Sequence, residues 1–250
     1  MTKKQLLYLP LILISIGITD KIYASTTQNY NSKGSVGFKQ EDKGQLPVDP
    51  NLPNPLLPVS PQNPDGSTPN PGGIGTLTID FASSLDFGNH SISNKDQVYF
   101  AKAQKYFDSK DVTPNYVQVT DRRGTFSGWS LSVVENIQFT QVESGPQKYK
   151  ELNGATISFN NSIADSNTAE KSPNTTNSIS LVPGVSTQIA LAEVGSGAGT
   201  WVIRWGNQSS ITEGGLNPDV SLFVPGTTPK DAADYTTTLS WILSDLPTNS

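Results

Sequence analysis

Gly128-Trp129-Ser130-Leu131-Ser132-Val133, and again Tyr235-Thr236-Thr237-Thr238-Leu239-Ser240-Trp241-Ile242-Leu243-Ser244, carry an apolar residue at every second position. Side chains two apart on an extended chain point the same way. Trp129, Leu131 and Val133 therefore share one face, as do Leu239, Trp241 and Leu243. Working outward, the alternation returns in Leu77, Ile79 and Phe81 set against Thr78 and Asp80. It continues in Ile157 and Phe159, in Ile189 and Leu191, in Trp201, Ile203 and Trp205 opposite Val202 and Arg204, and in Leu222 and Val224. Between these runs stand turn formers: Asp121-Arg122-Arg123-Gly124, Ser144-Gly145-Pro146, Val182-Pro183-Gly184, Gly195 to Gly199, and Pro225-Gly226. Repeated short alternating segments separated by turns predict an all-β fold, an antiparallel, Greek-key-like β-sandwich. One helical piece is expected at Asn94 to Tyr106, where Ala101, Ala103 and Lys105 permit it.

Length and composition narrow the class. The 250 residues include 18 prolines and 21 glycines and no cysteine. A disulfide, a thiol nucleophile and a zinc–thiolate site are thereby excluded, so the domain has to rest on its hydrophobic core. Lys3 and Lys4 followed by the short apolar run Leu6 to Ile18 and by Tyr23-Ala24-Ser25 read as a signal peptide over residues 1–24. Its loss removes three lysines and one aspartate and moves the net charge from −5 to −7. Such a field does not attract nucleic acid, and no later segment is apolar enough to insert in a membrane. Residues 25–46 are polar, with Ser35-Val36-Gly37-Phe38 as a possible short strand. Residues 47–73 hold nine of the eighteen prolines and read as a linker or an irregular surface loop. Residues 74–250 form the β domain. The terminal Asp245-Leu246-Pro247-Thr248-Asn249-Ser250 lacks the motif, apolar tail and basic residues of a sortase substrate, so the protein is expected either to be freely secreted or to stick by non-covalent binding.

The two Trp-x-Leu pairs, Trp129-Ser130-Leu131 and Trp241-Ile242-Leu243, stand in strand contexts. With Ser35-Val36-Gly37-Phe38, Leu85-Asp86-Phe87-Gly88, Val119-Thr120-Asp121-Arg122-Arg123-Gly124 and the closing stretch to Pro247, they make the chain resemble the WxL cell-wall domain family of low-GC Gram-positive bacteria. The resemblance covers essentially the whole chain after residue 24. It implies a cell-surface protein attached without a covalent bond to the wall through peptidoglycan. It further implies work beside other WxL proteins and a membrane-anchored WxL-interacting protein. The competing expectations are a subunit of a multi-protein surface complex and a host-facing adhesin whose main ligand is another protein.

Each candidate site residue carries two readings. Trp129, Leu131, Trp241 and Leu243 are either core residues that fix the fold or ligand contacts. Arg122 and Arg123 are either a turn paired with Asp121 or guanidinium forks for carboxylates of peptide stems or anionic wall polymers. Trp201 and Trp205 share a strand face and are either core or a platform for sugar rings. Tyr99, Phe100, Tyr106, Phe107 and Tyr116, with Lys102, Lys105 and Lys110, form an aromatic-rich stretch that either packs on the sandwich or meets a partner. Enzymatic chemistry is not marked. His90 is the sole histidine and has no nucleophile turn near it. Ser196 in Gly195-Ser196-Gly197-Ala198-Gly199 suits a hairpin loop rather than a nucleophile elbow. Asp165-Ser166-Asn167 is a weak match to a calcium loop. No pattern marks a catalytic residue, a metal or a cofactor.

Overall fold

The computed structural model describes residues 32–39, 43–109, 111–142 and 148–245. The expected signal peptide over residues 1–24, Lys110, the expected Ser144-Gly145-Pro146 turn and residues 246–250 lie outside the described residues. The chain divides into two compact units, Met1–Phe38 and Lys39–Ser250. The described residues of the first unit carry no strand, which corrects the expectation at Ser35 to Phe38; Val36 and Phe38 are exposed. Alternation alone does not make a strand without a neighbour to take its backbone groups.

In the second unit, in chain order, the strands are β1 (Pro61–Gln62), β2 (Leu77–Ala82), β3 (Gln97–Lys102), β4 (Lys105–Tyr106) and β5 (Tyr116–Asp121). Then follow β6 (Trp129–Glu135), β7 (Thr140–Gln141), β8 (Thr156–Asn160), β9 (Ser162–Asp165), β10 (Asn174–Thr175) and β11 (Ser178–Ser180). The last are β12 (Ser186–Ala192), β13 (Gly199–Trp205), β14 (Leu216–Val224), β15 (Tyr235–Thr236) and β16 (Leu239–Asp245). Three four-stranded antiparallel sheets carry the architecture, in the orders β2-β5-β13-β9, β10-β12-β6-β16 and β11-β8-β14-β3. The fold is thus all-β, as the alternation required, and the inner faces of the three sheets share one core.

The expected helix at Asn94 to Tyr106 is instead β3 and β4. Val98, Tyr99 and Phe100 favour a pleated surface, and β14 supplies the ladder, pairing Phe223 with Val98 and Leu222 with Tyr99. A second correction concerns β2. A register shift between Ile79 and Phe81 sends Phe81 to the side opposite Leu77 and Ile79, because an extra residue inverts side-chain parity. Phe81 then joins Val48, Tyr106, Tyr116 and Val202 in a second, smaller core. The Gly195–Gly199 loop is likewise no hairpin: β12 and β13 belong to different sheets, and the loop crosses between them.

That smaller core explains the proline-rich stretch, which lies on the protein as a strap. Val48 is buried, its N–H donates to Gln118 Oε1 at 2.8 Å, and Gln118 Nε2 donates to the Leu46 carbonyl at 3.1 Å. Arg204 Nε donates to the Pro50 carbonyl at 3.0 Å. Beyond these, β1 pairs with β4. The prolines remove donors at positions where side chains of the sheet read carbonyls instead.

Among the buried groups without a hydrogen-bond partner, the Glu135 carboxyl is the one whose charge matters most. Glu135 continues the inward row of Trp129, Leu131 and Val133, is 0% exposed, and neither carboxylate oxygen has a hydrogen-bond partner. Burial pushes its carboxyl from 4.5 up to about 7. The folded state therefore holds a proton that the unfolded chain releases above about pH 4.5. The stability this confers is complete below pH 4.5 and is lost as pH rises through about 7. Burial also raises the Asp80 carboxyl, which gives a slope of the same sign, so the comparison of two variants isolates Glu135. Denaturant titrations should show Glu135→Gln close to the parent at pH 4 and more stable by up to about 3 kcal/mol at pH 8; equal slopes with pH would contradict this account.

Candidate functional site

The two Trp-x-Leu signatures, 112 residues apart in sequence, lie side by side. Strands β6 and β16 are antiparallel neighbours, with Leu131 opposite Leu243, Val133 opposite Trp241 and Trp129 opposite Asp245. Their environments differ. Strand β6 is central, flanked by β12 and β16, whereas β16 ends its sheet. Trp129 and Leu131 are 0% exposed, while Trp241 and Leu243 are half-buried and Ile242 between them is 44% exposed.

The first signature is built around glycines. Trp129 Nε1 donates to the Gly197 carbonyl at 3.0 Å, which satisfies the buried indole N–H. A Cβ on Gly197 would stand 2.7 Å from that nitrogen and 2.4 Å from Ala192 Cβ, and Gly197 has φ +73°. Gly128, with φ +80°, would place a Cβ 2.3 Å from the Ala192 carbonyl oxygen. Both positions require glycine for space as well as for conformation. The glycine loop that resembled a nucleophile elbow is thus the seat of the Trp129 ring. Its Ser196 is buried and donates its hydroxyl to the Glu193 carbonyl at 2.8 Å.

The second signature closes an aromatic cluster. Trp241 lies 5.8 Å from the Trp205 ring and 6.4 Å from Phe159, and Phe159 lies 4.4 Å from Trp205. One ring comes from each of the three sheets. Trp201 and Trp205 are 4% and 1% exposed, so they line the core and offer no platform to a sugar ring.

Of the Arg pair, Arg123 serves the same two strands. Arg123 grips Asp121 in a two-pronged pair, Nε to Oδ1 at 2.9 Å and Nη2 to Oδ2 at 2.7 Å, and Nη2 also donates to the Gly128 carbonyl at 2.8 Å. Its Nη1 pairs with Asp245. Arg123 therefore ties the start of β6 to the end of β16, and its bonds to Asp121 hold the guanidinium above its ordinary pKa. Arg122 donates to the Lys43 carbonyl.

His90 is exposed, its Nε2 lies 2.6 Å from the Phe87 carbonyl, and its ring stacks on Tyr99 at 3.9 Å. Asp165 pairs with Arg204 at 3.4 Å. Among the described residues no group of His, Cys, Asp and Glu is placed to hold a metal, and no helix is long and apolar enough to cross a membrane. In the aromatic-rich stretch, Tyr106 and Tyr116 are buried while Phe100 and Phe107 remain exposed.

Sequence reading missed a groove lined by Lys148, Tyr149, Lys150, Glu151, Asn153 and Pro229. Asp231 Oδ2 accepts the N–H groups of Lys148 and Tyr149 at 2.9 and 2.8 Å, and the Tyr235 hydroxyl donates to the Tyr149 carbonyl at 2.7 Å. The Lys148 ammonium stands 5.0 Å from the Tyr149 ring centre. The only sequence signal is the alternation of Lys148 and Lys150 around Tyr149.

The unequal burial of the two tryptophans gives a direct expectation. Trp129→Ala should cost about 3–5 kcal/mol in chemical denaturation. Trp241→Ala should cost roughly half as much; equal losses would mean that the two signatures are equivalent in the core.

A family model described as "WxL domain surface cell wall-binding" matches residues 25–247. No curated protein and no solved structure matches the chain. The match takes in both Trp-x-Leu strands, the Arg123 clamp between them and the strap. The chain belongs to the WxL domain family of cell-surface, wall-binding proteins.

Proposed function

We propose that this protein attaches without a covalent bond to the peptidoglycan of a Gram-positive cell wall after export by its N-terminal signal peptide. The observation that carries this reading is the extent of the wall-binding family match, residues 25–247, which takes in the whole sandwich. Four of the candidate contacts, Trp129, Leu131, Trp201 and Trp205, are buried, which favours a contact made by more exposed residues. The groove of Lys148, Tyr149, Lys150 and Pro229 offers suitable chemistry. Two ammonium groups suit the carboxylates of peptide stems, and the Tyr149 and Pro229 rings suit an apolar sugar or peptide face.

A protein partner is the second reading, favoured by the outer side of the strap. Leu52, Leu56 and Leu57 are exposed there, and Phe107, whose N–H donates to the Ser60 carbonyl of the strap, is also exposed. The strap holds these leucines in a fixed conformation, with the Leu57 N–H on the Asn54 carbonyl and the Leu52 N–H on the Asp49 carbonyl. Exposed apolar side chains held on an ordered backbone suit a partner surface. Other WxL proteins and a membrane-anchored WxL-interacting protein are the partners proposed.

The mature chain should sediment with purified peptidoglycan at low salt and be released by denaturant. Lys148→Ala combined with Lys150→Ala should weaken retention roughly 3- to 10-fold; a chain that stays in solution beside insoluble wall would defeat the reading. Changing Leu52, Leu56 and Leu57 to Ser should leave sedimentation intact and remove co-purifying surface proteins, and unchanged co-purification would dismiss the second reading.

A further inference from the structure

We infer that β16 is the docking edge for a second copy of this chain, pairing with itself in antiparallel register about Ile242. The ladder geometry fixes which backbone groups are available. The Asn136 N–H donates to the Thr238 carbonyl at 2.9 Å, and the β6–β16 register places Glu135 opposite Leu239 and Trp129 opposite Asp245. Hydrogen-bonded and non-bonded pairs alternate along an antiparallel ladder. Residues 240, 242 and 244 therefore bond to β6, and Leu239, Trp241, Leu243 and Asp245 turn their N–H and C=O groups away from it. Strand β16 comes near β2 without pairing to it and ends its sheet.

The other sheet edges are short or guarded. The Gly73 N–H covers β2 by donating to the Ile79 carbonyl, and the Lys102 N–H of β3 donates to the Asp86 carbonyl. Strands β9, β10 and β11 have four, two and three residues. Strand β16 has seven residues, no proline, no lysine and no register shift. It thus lacks the devices that normally keep an edge from pairing.

The sequence of β16 suits a copy of itself. With a twofold axis at Ile242, each outward-turned residue meets an outward-turned residue: Trp241 opposite Leu243 of the second copy, and Leu239 opposite its Asp245. On the outer face Ser240 meets Ser244, and Ile242 meets Ile242. No charge faces a like charge, because the one charged side chain, Asp245, falls opposite a leucine and is already paired with Arg123 of its own chain. The half-buried Trp241 and Leu243 then cover each other. The contact is isologous and closes at two copies.

Charge placed at the axis tests this. Mature wild-type chain should shift from monomer to dimer in analytical ultracentrifugation between about 1 and about 100 μM. Ile242→Lys and Ile242→Glu should each stay monomeric, and an equimolar mixture of the two should regain the dimer. A wild-type chain monomeric throughout, or a dimer indifferent to both charges, overturns the proposal. Amide exchange on the wild-type chain gives a second reading independent of any variant. The amides of Trp241 and Leu243 should slow as concentration rises, while those of Ser240, Ile242 and Ser244 are protected throughout; a Trp241 amide whose exchange ignores concentration also overturns it.

Discussion

The pairing of β6 with β16 is the constraint on which the rest of the sandwich depends. It joins residue 129 to residue 245 and sets Leu131 against Leu243, so the chain between them is closed into one long loop whose contents have to fold inside it. Loop closure of that length costs conformational entropy. The opposing gain is concentrated at the ends of the two strands, in the Arg123 bonds to Asp121, Asp245 and Gly128, and at their middle, where Trp241 meets Trp205 and Phe159. Three sheets that share only one core are held in register by three rings, one from each.

Much of this was legible before any coordinates. Strict parity in Trp201-Val202-Ile203-Arg204-Trp205 put the two tryptophans and Ile203 on one face and Val202 on the other; the structure lays the first face in the main core and packs Val202 with Val48. The alternation around both signatures gave the faces of β6 and β16 correctly. The difference in burial between Trp129 and Trp241 was not legible. It depends on whether a strand is central or terminal in its sheet, and order within a sheet is set by long-range pairing that local alternation does not encode. The shift at Asp80 was hidden for a related reason. Asp80 leaves the expected pattern to join a buried polar set, accepting from Thr78, Gln118 and Thr120, and Phe81 is carried across the sheet with it. At β3 the Ala and Lys content suggested a helix, and a neighbouring strand overrode that preference.

The groove at Lys148 to Asn153 shows the same division between chemistry and placement. Its lysines are visible in the sequence, yet nothing local reveals that Asp231 and Tyr235, more than eighty residues later, hold its rim. Binding surfaces on such a fold are assembled by loops that share no sequence neighbourhood. The first family signature is, by contrast, invisible from outside, with Trp129 and Leu131 buried, whereas Trp241 and Leu243 of the second are half-buried.

The strap has a consequence for sequence variation. The protein holds it chiefly through main-chain atoms, the Val48 N–H and the carbonyls of Leu46, Pro50 and Gln62, read by Gln118, Arg204 and Gln104. Val48, Val59 and the buried prolines pack through their own side chains, Asn51 donates to Gln208, and Asn63 accepts from Ser84. The intervening outward positions are thus uncoupled from folding. They can diverge rapidly between related chains, or accept a grafted recognition segment, while the backbone that displays them stays in place.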